Sequence, residues 1–290
     1  MDVVLALGGG GAKCFAQVGA LRALADAGIR IRGVACTSAG GLVGAPLAAG
    51  VPLERILSAL TAVHGRPPQR ARQGAGLFDP RAALGVIDAL VGDRAFDDLA
   101  MPLALTAVDL ETGRPLVLRT GSVCRALHAA VAVPGLFPPA AHDGRAVVDG
   151  GVLDPVPVAL ARRLVPGLAA VAVVVAQPVG AWSAHRLPRR LAGVGFLRRL
   201  SAWRPVQAFE VFLRASDLTH RQLLEARLAL DRPELLIRPE VPILDLFQPV
   251  DIAGLVAAGE AAAAGALRGA WGDAAEAGRA DGAFASRFGG

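Results

Sequence analysis

The stretch Cys36-Thr37-Ser38-Ala39-Gly40-Gly41 decides the fold predicted for this chain. It follows an apolar, β-branched run at residues 29–34 and precedes a helical run of small residues at 42–48. A serine on a tight turn between a strand and a helix is lifted out of the backbone, and the N–H groups of the helix point toward the reacting oxygen. We therefore interpret the stretch as a nucleophile elbow with Ser38 at its tip. For these residues alone, an ordinary turn of an α/β protein stays an equal alternative.

The rest of the chain alternates between short apolar runs and helical patterns. We predict strands at residues 3–7, 29–35, 103–108, 115–118, 145–149, 169–176 and 235–237, most of them separated by helices. This alternation is typical of an α/β fold in which helices sandwich a mostly parallel central sheet. We expect one domain over residues 1–271 and a flexible, Gly/Ala-rich tail over residues 272–290.

The composition limits the classes of function. Hydrophobic residues make up 53% of the chain but aromatic ones only 4%, which suits a large core of small side chains. The net charge is +5, but no zinc-ligand spacing, recognition motif or set of stacking aromatics accompanies it, so we expect no nucleic-acid partner. Three cysteines without a C-x-x-C pair favour a reducing compartment. We find no signal peptide and no membrane-spanning run, and we therefore expect a cytoplasmic protein.

Three glycine-rich positions fall where an α/β sheet presents reactive groups. Gly8–Gly11 follows the first predicted strand, Ser38 follows the second, and Asp149 stands before a glycine pair after a later strand. The N–H groups of the glycine run suit an oxyanion, and Lys13 adds positive potential. Asp149 suits the transfer of the Ser38 proton to a leaving group. Neither a P-loop nor a G-x-G-x-x-G dinucleotide loop fits the glycine run, because each pattern lacks a glycine it requires.

Five short segments stand in a fixed order along the chain. They are the glycine-rich loop Gly8–Lys13, the elbow Thr37–Gly41, Ala107–Gly113, Val133–Pro139 and Asp149–Gly151. In this order they resemble the patatin-like phospholipases, which are serine lipid acyl hydrolases with a Ser–Asp dyad on an α/β sheet. The resemblance covers roughly residues 3–268. It implies a lipid or acyl-ester substrate and no metal or organic cofactor.

The resemblance also implies roles for individual residues. Ser38 is the expected nucleophile, Asp149 is its expected general base, and the backbone N–H groups of Gly9, Gly10 and Gly11 are the expected oxyanion hole. The supporting positions are Gly8, Lys13, Gly40, Gly150 and Gly151. The function implied is that of a phospholipase A, lysophospholipase or carboxylesterase that works through an acyl-enzyme.

Four residues depart from the family's pattern. Cys36 replaces the first glycine of the elbow, Lys13 replaces an arginine, Cys14 replaces a glycine and Gln17 replaces a frequent histidine. We expect the small cysteine side chains to be accommodated as buried fillers. The departures keep a second hypothesis open, in which the chain is a patatin-fold lipid-binding or regulatory protein with weak or no turnover.

A Ser–His–Asp esterase for small soluble esters is a third hypothesis, in which a histidine is the base. The candidates are His64, His128, His142, His185 and His220. His128 is favoured among them because it shortly precedes the predicted turn at Pro134-Gly135. Asp109 also follows a predicted strand, but we expect it to organise the turn to Gly113 through hydrogen bonds to the backbone.

The stretch Arg186–Arg204 carries six arginines among leucines, a phenylalanine and a tryptophan. A basic helix with a broad apolar side can lie in an anionic membrane interface, with its arginines extended to the headgroups. An amphipathic helix packed on the sheet has the same pattern and is slightly favoured. Peripheral membrane contact through this stretch therefore stays an open expectation, and the oligomeric state is not predicted.

Overall fold

The computed structural model describes residues 1–64, 69–70, 76–175, 204–241 and 250–280. The strands are β1 (Asp2–Leu7), β2 (Arg30–Cys36), β3 (Gln69–Arg70), β4 (Phe78–Asp79), β5 (Leu103–Asp109), β6 (Pro115–Leu118), β7 (Ala140–His142), β8 (Arg145–Asp149), β9 (Ala169–Val173) and β10 (Leu235–Ile237). The helices are α1 (Phe15–Asp26), α2 (Gly40–Ala48), α3 (Leu53–His64), α4 (Arg81–Val91), α5 (Val123–Ala130), α6 (Val158–Leu164), α7 (Arg204–Asp231) and α8 (Ile252–Ala280). Short 3₁₀ turns lie at Gly11–Cys14, Phe96–Asp98 and Gly150–Val152.

The central sheet is parallel over most of its width and antiparallel at one end. Its strand order is β10-β9-β1-β2-β5-β8-β7, and β6 also pairs with β5. Strands β10, β9, β1, β2 and β5 are parallel to one another. Strands β6 and β8 both pair with β5 in the antiparallel sense. The prediction of a mostly parallel α/β sheet is therefore confirmed, and β8, the strand that ends at Asp149, runs antiparallel to the five parallel strands.

The two faces of the sheet bury different sizes of side chain. Along β1, Val3, Leu5 and Leu7 face one core together with residues of α1–α5 and α8, whereas Val4 and Ala6 face the other. The second core contains residues of α6 and α7 against a row of alanines, which are Ala6, Ala35, Ala104, Ala170 and Ala172. Because an alanine surface lets a helix approach closely, this face needs no large aromatic filler.

The crossing of α1 and α8 fixes the helix that follows the glycine-rich loop. Gly19 of α1 lies against the Val256 carbonyl, and Gly259 of α8 lies against the Ala16 carbonyl, so that a Cβ at either glycine would overlap with backbone of the other helix. The two backbones are therefore in direct contact. Since α1 begins one residue after the loop's 3₁₀ turn, this contact also holds the loop in place.

Two expectations concern the C-terminal half of the chain, namely the flexible tail and the arginine-rich stretch. Helix α8 continues to Ala280, so the tail expected to be flexible from Gly272 is helical up to that residue, in keeping with the high helix propensity of its alanines. Residues 186–203 of the arginine-rich stretch lie outside the described residues. Among the residues that are described, no helix combines the length and apolar character needed to cross a bilayer.

The α1–α8 contact leads to a stability prediction with a matched control on the same helix. We expect Gly259→Ala to lower the free energy of unfolding by about 1–3 kcal/mol or more, because its methyl group forces two backbones apart. Gly265→Ala meets nothing within 4 Å, and we expect it to raise stability by up to about 1 kcal/mol through helix propensity. Chemical denaturation of both variants measures the difference, and equal effects would contradict the close contact.

Candidate active site

Strand register brings Ser38 and Asp149 to one level of the sheet. Cys36, the last residue of β2, pairs with Leu105 of β5. Ser38 lies two residues beyond Cys36, and Ala107 lies two residues beyond Leu105. Because Ala107 pairs with Asp149 across the antiparallel β5–β8 ladder, the carboxylate arrives at the level of the serine.

The glycine-rich loop reaches the same level from the other neighbour of β2. Leu7 pairs with Cys36, and the Thr37 N–H donates to the Leu7 carbonyl at 3.0 Å. Gly9 then lies directly against the serine, since a Cβ on Gly9 would be 3.0 Å from the Ser38 Cβ and 3.7 Å from its Oγ. The structure therefore brings the loop, the serine and the aspartate together, as the sequence predicts.

The turn at Ser38 has the backbone geometry of a nucleophile elbow. Ser38 has φ of +55°, in the left-handed region that a non-glycine residue adopts at a cost of about 1–3 kcal/mol. Helix α2 begins two residues later at Gly40, where a Cβ would lie 2.5 Å from the Leu7 carbonyl oxygen. Only glycine permits this approach of α2 to the end of β1.

Cys36 is accommodated by a glycine on the helix it faces. Its side chain is fully buried and lies over Gly44 of α2, where an added Cβ would overlap with the sulfur. Burial raises the pKa of the Cys36 thiol, and it raises the pKa of the Cys14 thiol to about 12. Both cysteines are therefore un-ionised fillers, as expected, and neither is poised for thiolate chemistry.

A polar network beneath the elbow is not visible in the sequence. The Thr37 and Thr106 hydroxyl oxygens lie 2.8 Å apart, and the Thr37 hydroxyl also donates to the Asp154 carbonyl at 2.9 Å. On the glycine side, the buried Gln17 side chain donates to the Gly8 carbonyl at 2.7 Å. Only two features of the sequence indicate these contacts. They are Thr37, which stands next to the elbow serine, and Gln17, a polar residue inside an apolar helix.

Asp149 is buried, with 3% of its surface exposed, and only one of its two carboxyl oxygens accepts a hydrogen bond of good geometry. Oδ1 accepts the Gly151 N–H at 2.7 Å, whereas Oδ2 is buried without a hydrogen bond of good geometry. Burial raises the pKa of Asp149 to about 6, and the Ser38 hydroxyl and the Gly151 N–H oppose that rise. The Ser38 hydroxyl thus faces the carboxyl group without a hydrogen bond of ideal geometry.

Of the N–H groups expected to form an oxyanion hole, one is already paired with a backbone carbonyl. The Gly9 N–H donates to the Pro155 carbonyl at 3.0 Å, and the Gly8 N–H donates to the Val173 carbonyl at 3.1 Å. The expected donor role of Gly9 is corrected, because its N–H ties the loop to the chain after Asp149. Within the described part of the chain, the N–H groups of Gly10, Gly11 and Ala39 have no acceptor. Ala39 follows the serine, where an elbow commonly supplies a donor.

The two glycines after Asp149 fit their positions for different reasons. A Cβ on Gly150 would overlap with the Thr106 side chain, so glycine is required there. A Cβ on Gly151 would lie 3.1 Å from Asp149 Oδ1 and 3.3 Å from the His220 ring.

Lys13 lies on the 3₁₀ turn that follows the glycine-rich loop. Its pKa is lowered, first by burial and then by the like charge of Arg221.

The described histidines make contacts other than with the serine. His128 Nε2 lies 2.9 Å from Asp88 Oδ2 of α4, and the His64 ring packs edge-on against Phe15. His142 lies 3.6 Å from Asp143 on the β7–β8 turn. Within the described residues, only His220 reaches the loop after Asp149, with Nδ1 3.2 Å from the Gly151 carbonyl oxygen. His185 lies outside the described residues.

Two further features complete the description of the site. The Asp109 carboxylate accepts the N–H groups of Glu111 and Thr112, which lower its pKa, so its expected role in organising the turn is confirmed. Where the structure is described, no three His, Cys, Asp or Glu side chains come together in a way that could hold a metal ion.

Comparisons with known proteins agree on one family. The family model described as patatin-like phospholipase matches residues 5–162. An uncharacterized NTE family protein of Mycobacterium tuberculosis is 30% identical over 282 residues, which are 91% of this chain and 46% of that protein. The lysophospholipase NTE1 of Phaeosphaeria nodorum is 30% identical over 170 residues, or 56% of this chain and 11% of that protein. This chain therefore spans less than half the length of these relatives.

One solved structure matches this chain at a low level of similarity. VipD from Legionella pneumophila matches 93% of this chain and 67% of its own chain, with a TM-score of 0.48 and 15% sequence identity.

The raised pKa of Asp149 leads to a prediction about pH. A general base must be unprotonated to accept a proton. We therefore expect kcat/KM for a soluble ester to fall as the pH drops through about 6, with the pH dependence of a single titrating group. Because the Ser38 hydroxyl lowers this pKa, we expect Ser38→Ala to raise it, as measured by NMR titration of the carboxyl carbons. Asp109 is the internal control, and an Asp149 that titrates like an ordinary aspartate would contradict the assignment.

Proposed function

Because the chain belongs to the patatin-like phospholipase family, we propose that it is a lipid acyl hydrolase that works through an acyl-enzyme on Ser38. The observation that carries the proposal is the juxtaposition of an elbow serine with a buried aspartate that has one free oxygen. Oδ1 of that carboxylate accepts the Gly151 N–H, and Oδ2 is left for the serine hydroxyl. The raised pKa of Asp149 places it near the range that general bases need at neutral pH.

In the first half of the proposed reaction, Ser38 Oγ attacks the carbonyl carbon of an acyl ester while Asp149 Oδ2 takes the hydroxyl proton. The carbonyl π electrons move to the oxygen, and the N–H groups of Gly10 and Gly11 stabilise the negative charge. The tetrahedral intermediate then collapses, the ester C–O bond breaks, and Asp149 returns the proton to the alcohol that leaves. The acyl group stays on Ser38.

In the second half, a water molecule replaces the alcohol. Asp149 takes a proton from the water, the hydroxide oxygen attacks the acyl carbon, and the same N–H groups hold the oxyanion. Collapse releases the fatty acid and returns the proton to Ser38 Oγ. Asp149 serves as base and acid in each half, so no histidine is needed.

The position of His128 supports a dyad rather than a triad. Its Nε2 is engaged by Asp88 of α4, and it hydrogen-bonds neither Ser38 nor Asp149. His220 binds the Gly151 carbonyl, and burial lowers its pKa. The catalytic proton therefore has a direct route from Ser38 to Asp149.

The dyad leads to a prediction about single replacements. We expect Ser38→Ala and Asp149→Asn each to lower kcat on the order of 10⁴-fold or more, because members of one catalytic unit fail together. We expect His128→Gln and His220→Gln each to stay within about tenfold of wild type. Lipid-ester hydrolysis by folded variants measures this. A histidine variant that falls as far as Ser38→Ala would replace the dyad with a triad.

A fluorophosphonate probe separates turnover from mere lipid binding. We expect it to label wild type at Ser38, because phosphonylation requires an activated serine beside oxyanion donors. Peptide mapping locates the label, and Ser38→Ala is expected to remove it. A folded wild type that stays unlabelled would favour a lipid-binding protein with little turnover.

A further inference from the structure

One buried polar side chain beside the site takes no part in the proposed chemistry. Gln17 lies in the first turn of α1 with none of its surface exposed, and the other buried residues of that helix are apolar or glycine. Its amide group contacts the glycine-rich loop, 2.7 Å from the Gly8 carbonyl oxygen. Because a carbonyl oxygen only accepts hydrogen bonds, the amide atom at this distance is the nitrogen, Nε2.

The amide group of Gln17 is only half satisfied. Nε2 donates to Gly8, whereas Oε1 is buried without a hydrogen-bond partner. A buried acceptor without a donor is costly. A methionine of similar volume would remove the orphaned oxygen and lose one hydrogen bond, so the packing of α1 does not by itself call for a polar residue here. The bond to Gly8 is therefore the feature that distinguishes Gln17 from an apolar residue.

This bond completes the fixation of one peptide group in the loop. The peptide group joins Gly8 to Gly9. Its C=O accepts from Gln17 at 2.7 Å, and its N–H donates to the Pro155 carbonyl at 3.0 Å. In the part of the chain that the structure describes, no other hydrogen bond reaches the Gly8 carbonyl. The same oxygen lies close to α2, since a Cβ on Gly40 would be 3.0 Å from it. The peptide group is thus held at both ends.

Such fixation matters because the loop consists of glycines. A peptide group between two glycines can flip by rotation about the bonds on either side of it, with no Cβ to oppose the rotation. Without Gln17 the Gly8 carbonyl would be left buried and unpaired, so a flip that turns it toward another donor would no longer be opposed. That flip would also break the bond from the Gly9 N–H to Pro155.

The next N–H group along the loop is a proposed oxyanion donor. It belongs to Gly10 and has no acceptor among the described residues. On its far side the Gly10 carbonyl accepts the Lys13 N–H at 3.3 Å. The free N–H therefore lies between two fixed points, and Gln17 holds one of them. A Cβ on Gly9 would be 3.0 Å from the Ser38 Cβ, so a shift of Gly9 moves the donor relative to the nucleophile.

We propose that Gln17 is a positioning residue of the oxyanion hole, whose hydrogen bond holds the Gly8–Gly9 peptide group so that the Gly10 N–H points at the oxygen of the tetrahedral intermediate. The inference rests on the proposed function. Gln17 acts through the loop, because its hydrogen bond goes to the loop and not to the reacting atoms. Its effect is therefore expected in the transition state, where the oxyanion exists, and not in substrate binding.

The kinetic test replaces Gln17 with methionine, which has a similar volume and no N–H group. We expect Gln17→Met to lower kcat on a soluble ester about 10- to 100-fold, since outright loss of an oxyanion donor costs about 100- to 1,000-fold in other enzymes. KM is expected to stay within about twofold of wild type. Gln17→His should restore most of kcat, because a ring N–H can donate to the Gly8 carbonyl. Leu21→Met, one turn along the buried face of α1, is the matched control, and its kcat is expected to be unchanged.

Two further measurements distinguish a positioning role from a merely structural one. A long-chain trifluoromethyl ketone adds reversibly to the serine. Ser38 Oγ bonds to the carbonyl carbon, the hydroxyl proton passes to Asp149, and the ketone oxygen becomes the oxyanion. We expect Gln17→Met to weaken this inhibitor by the factor by which kcat falls. The acid limb of kcat/KM near pH 6 should not move, because the groups that set the pKa of Asp149 do not include Gln17.

Amide hydrogen exchange separates this inference from the proposed function, since it requires no hydrolysis. In protein with isotope-labelled glycine, NMR follows the Gly9 N–H, which its bond to Pro155 protects. We expect Gln17→Met to speed its exchange at least about tenfold and Leu21→Met to leave it unchanged. If wild type shows neither hydrolysis nor fluorophosphonate labelling, the proposed function fails, while the exchange rate still decides whether Gln17 holds the loop.

Three results would overturn the inference. An unchanged Gly9 exchange rate in Gln17→Met would show that the peptide group is held without Gln17. Faster exchange with unchanged kcat would show that its orientation does not affect the oxyanion. Equal losses of kcat in Gln17→Met and Leu21→Met would indicate a general packing effect. Circular dichroism checks folding, and if Gln17→Met does not fold, Gln17→Leu takes its place in each measurement.

Discussion

The candidate site depends on one backbone contact, between Gly40 and the end of β1. A Cβ on Gly40 would lie 2.5 Å from the Leu7 carbonyl oxygen and 3.0 Å from that of Gly8. Because this position has no side chain, the N-terminus of α2 rests on the strand, and the glycine-rich loop comes to lie against Ser38. The left-handed backbone at Ser38 is held in place by the packed elements next to it, which are β1, β2 and α2. A larger residue at Gly40 would separate the serine from the loop's N–H groups.

The cysteine in the elbow shows how such a contact tolerates change. A Cβ and a sulfur at position 36 require space, and α2 provides it because residue 44 is glycine. The cysteine side chain on the strand therefore packs against a helix position that has no side chain. The departure from the family's pattern therefore alters the packing between β2 and α2 while leaving φ at Ser38 and the approach of Gly40 intact.

The sequence predicted the parts of the site that local pattern encodes. The glycine run, the elbow and the aspartate before two glycines each carry a turn signature, and the alternation of strands and helices indicated the sheet. The features that the sequence did not predict depend on contacts between segments that are far apart in the chain. The antiparallel direction of β8 follows from its ladder with β5, which no local pattern specifies. The use of the Gly9 N–H by Pro155, and the contact between His220 and Gly151, join segments far apart in the chain, and no short-range signal indicates either.

The charges around the site are arranged so that the Asp149 carboxylate and the nearby cations do not neutralise each other. A buried carboxylate normally requires a cation or several donors, and Asp149 has one backbone N–H and a serine hydroxyl, which leaves its pKa raised. Lys13 and Arg221 act on each other, on His220 and on Asp217 instead. Direct pairing of a cation with Asp149 would lower the pKa of the carboxyl group and make the carboxylate a weaker base.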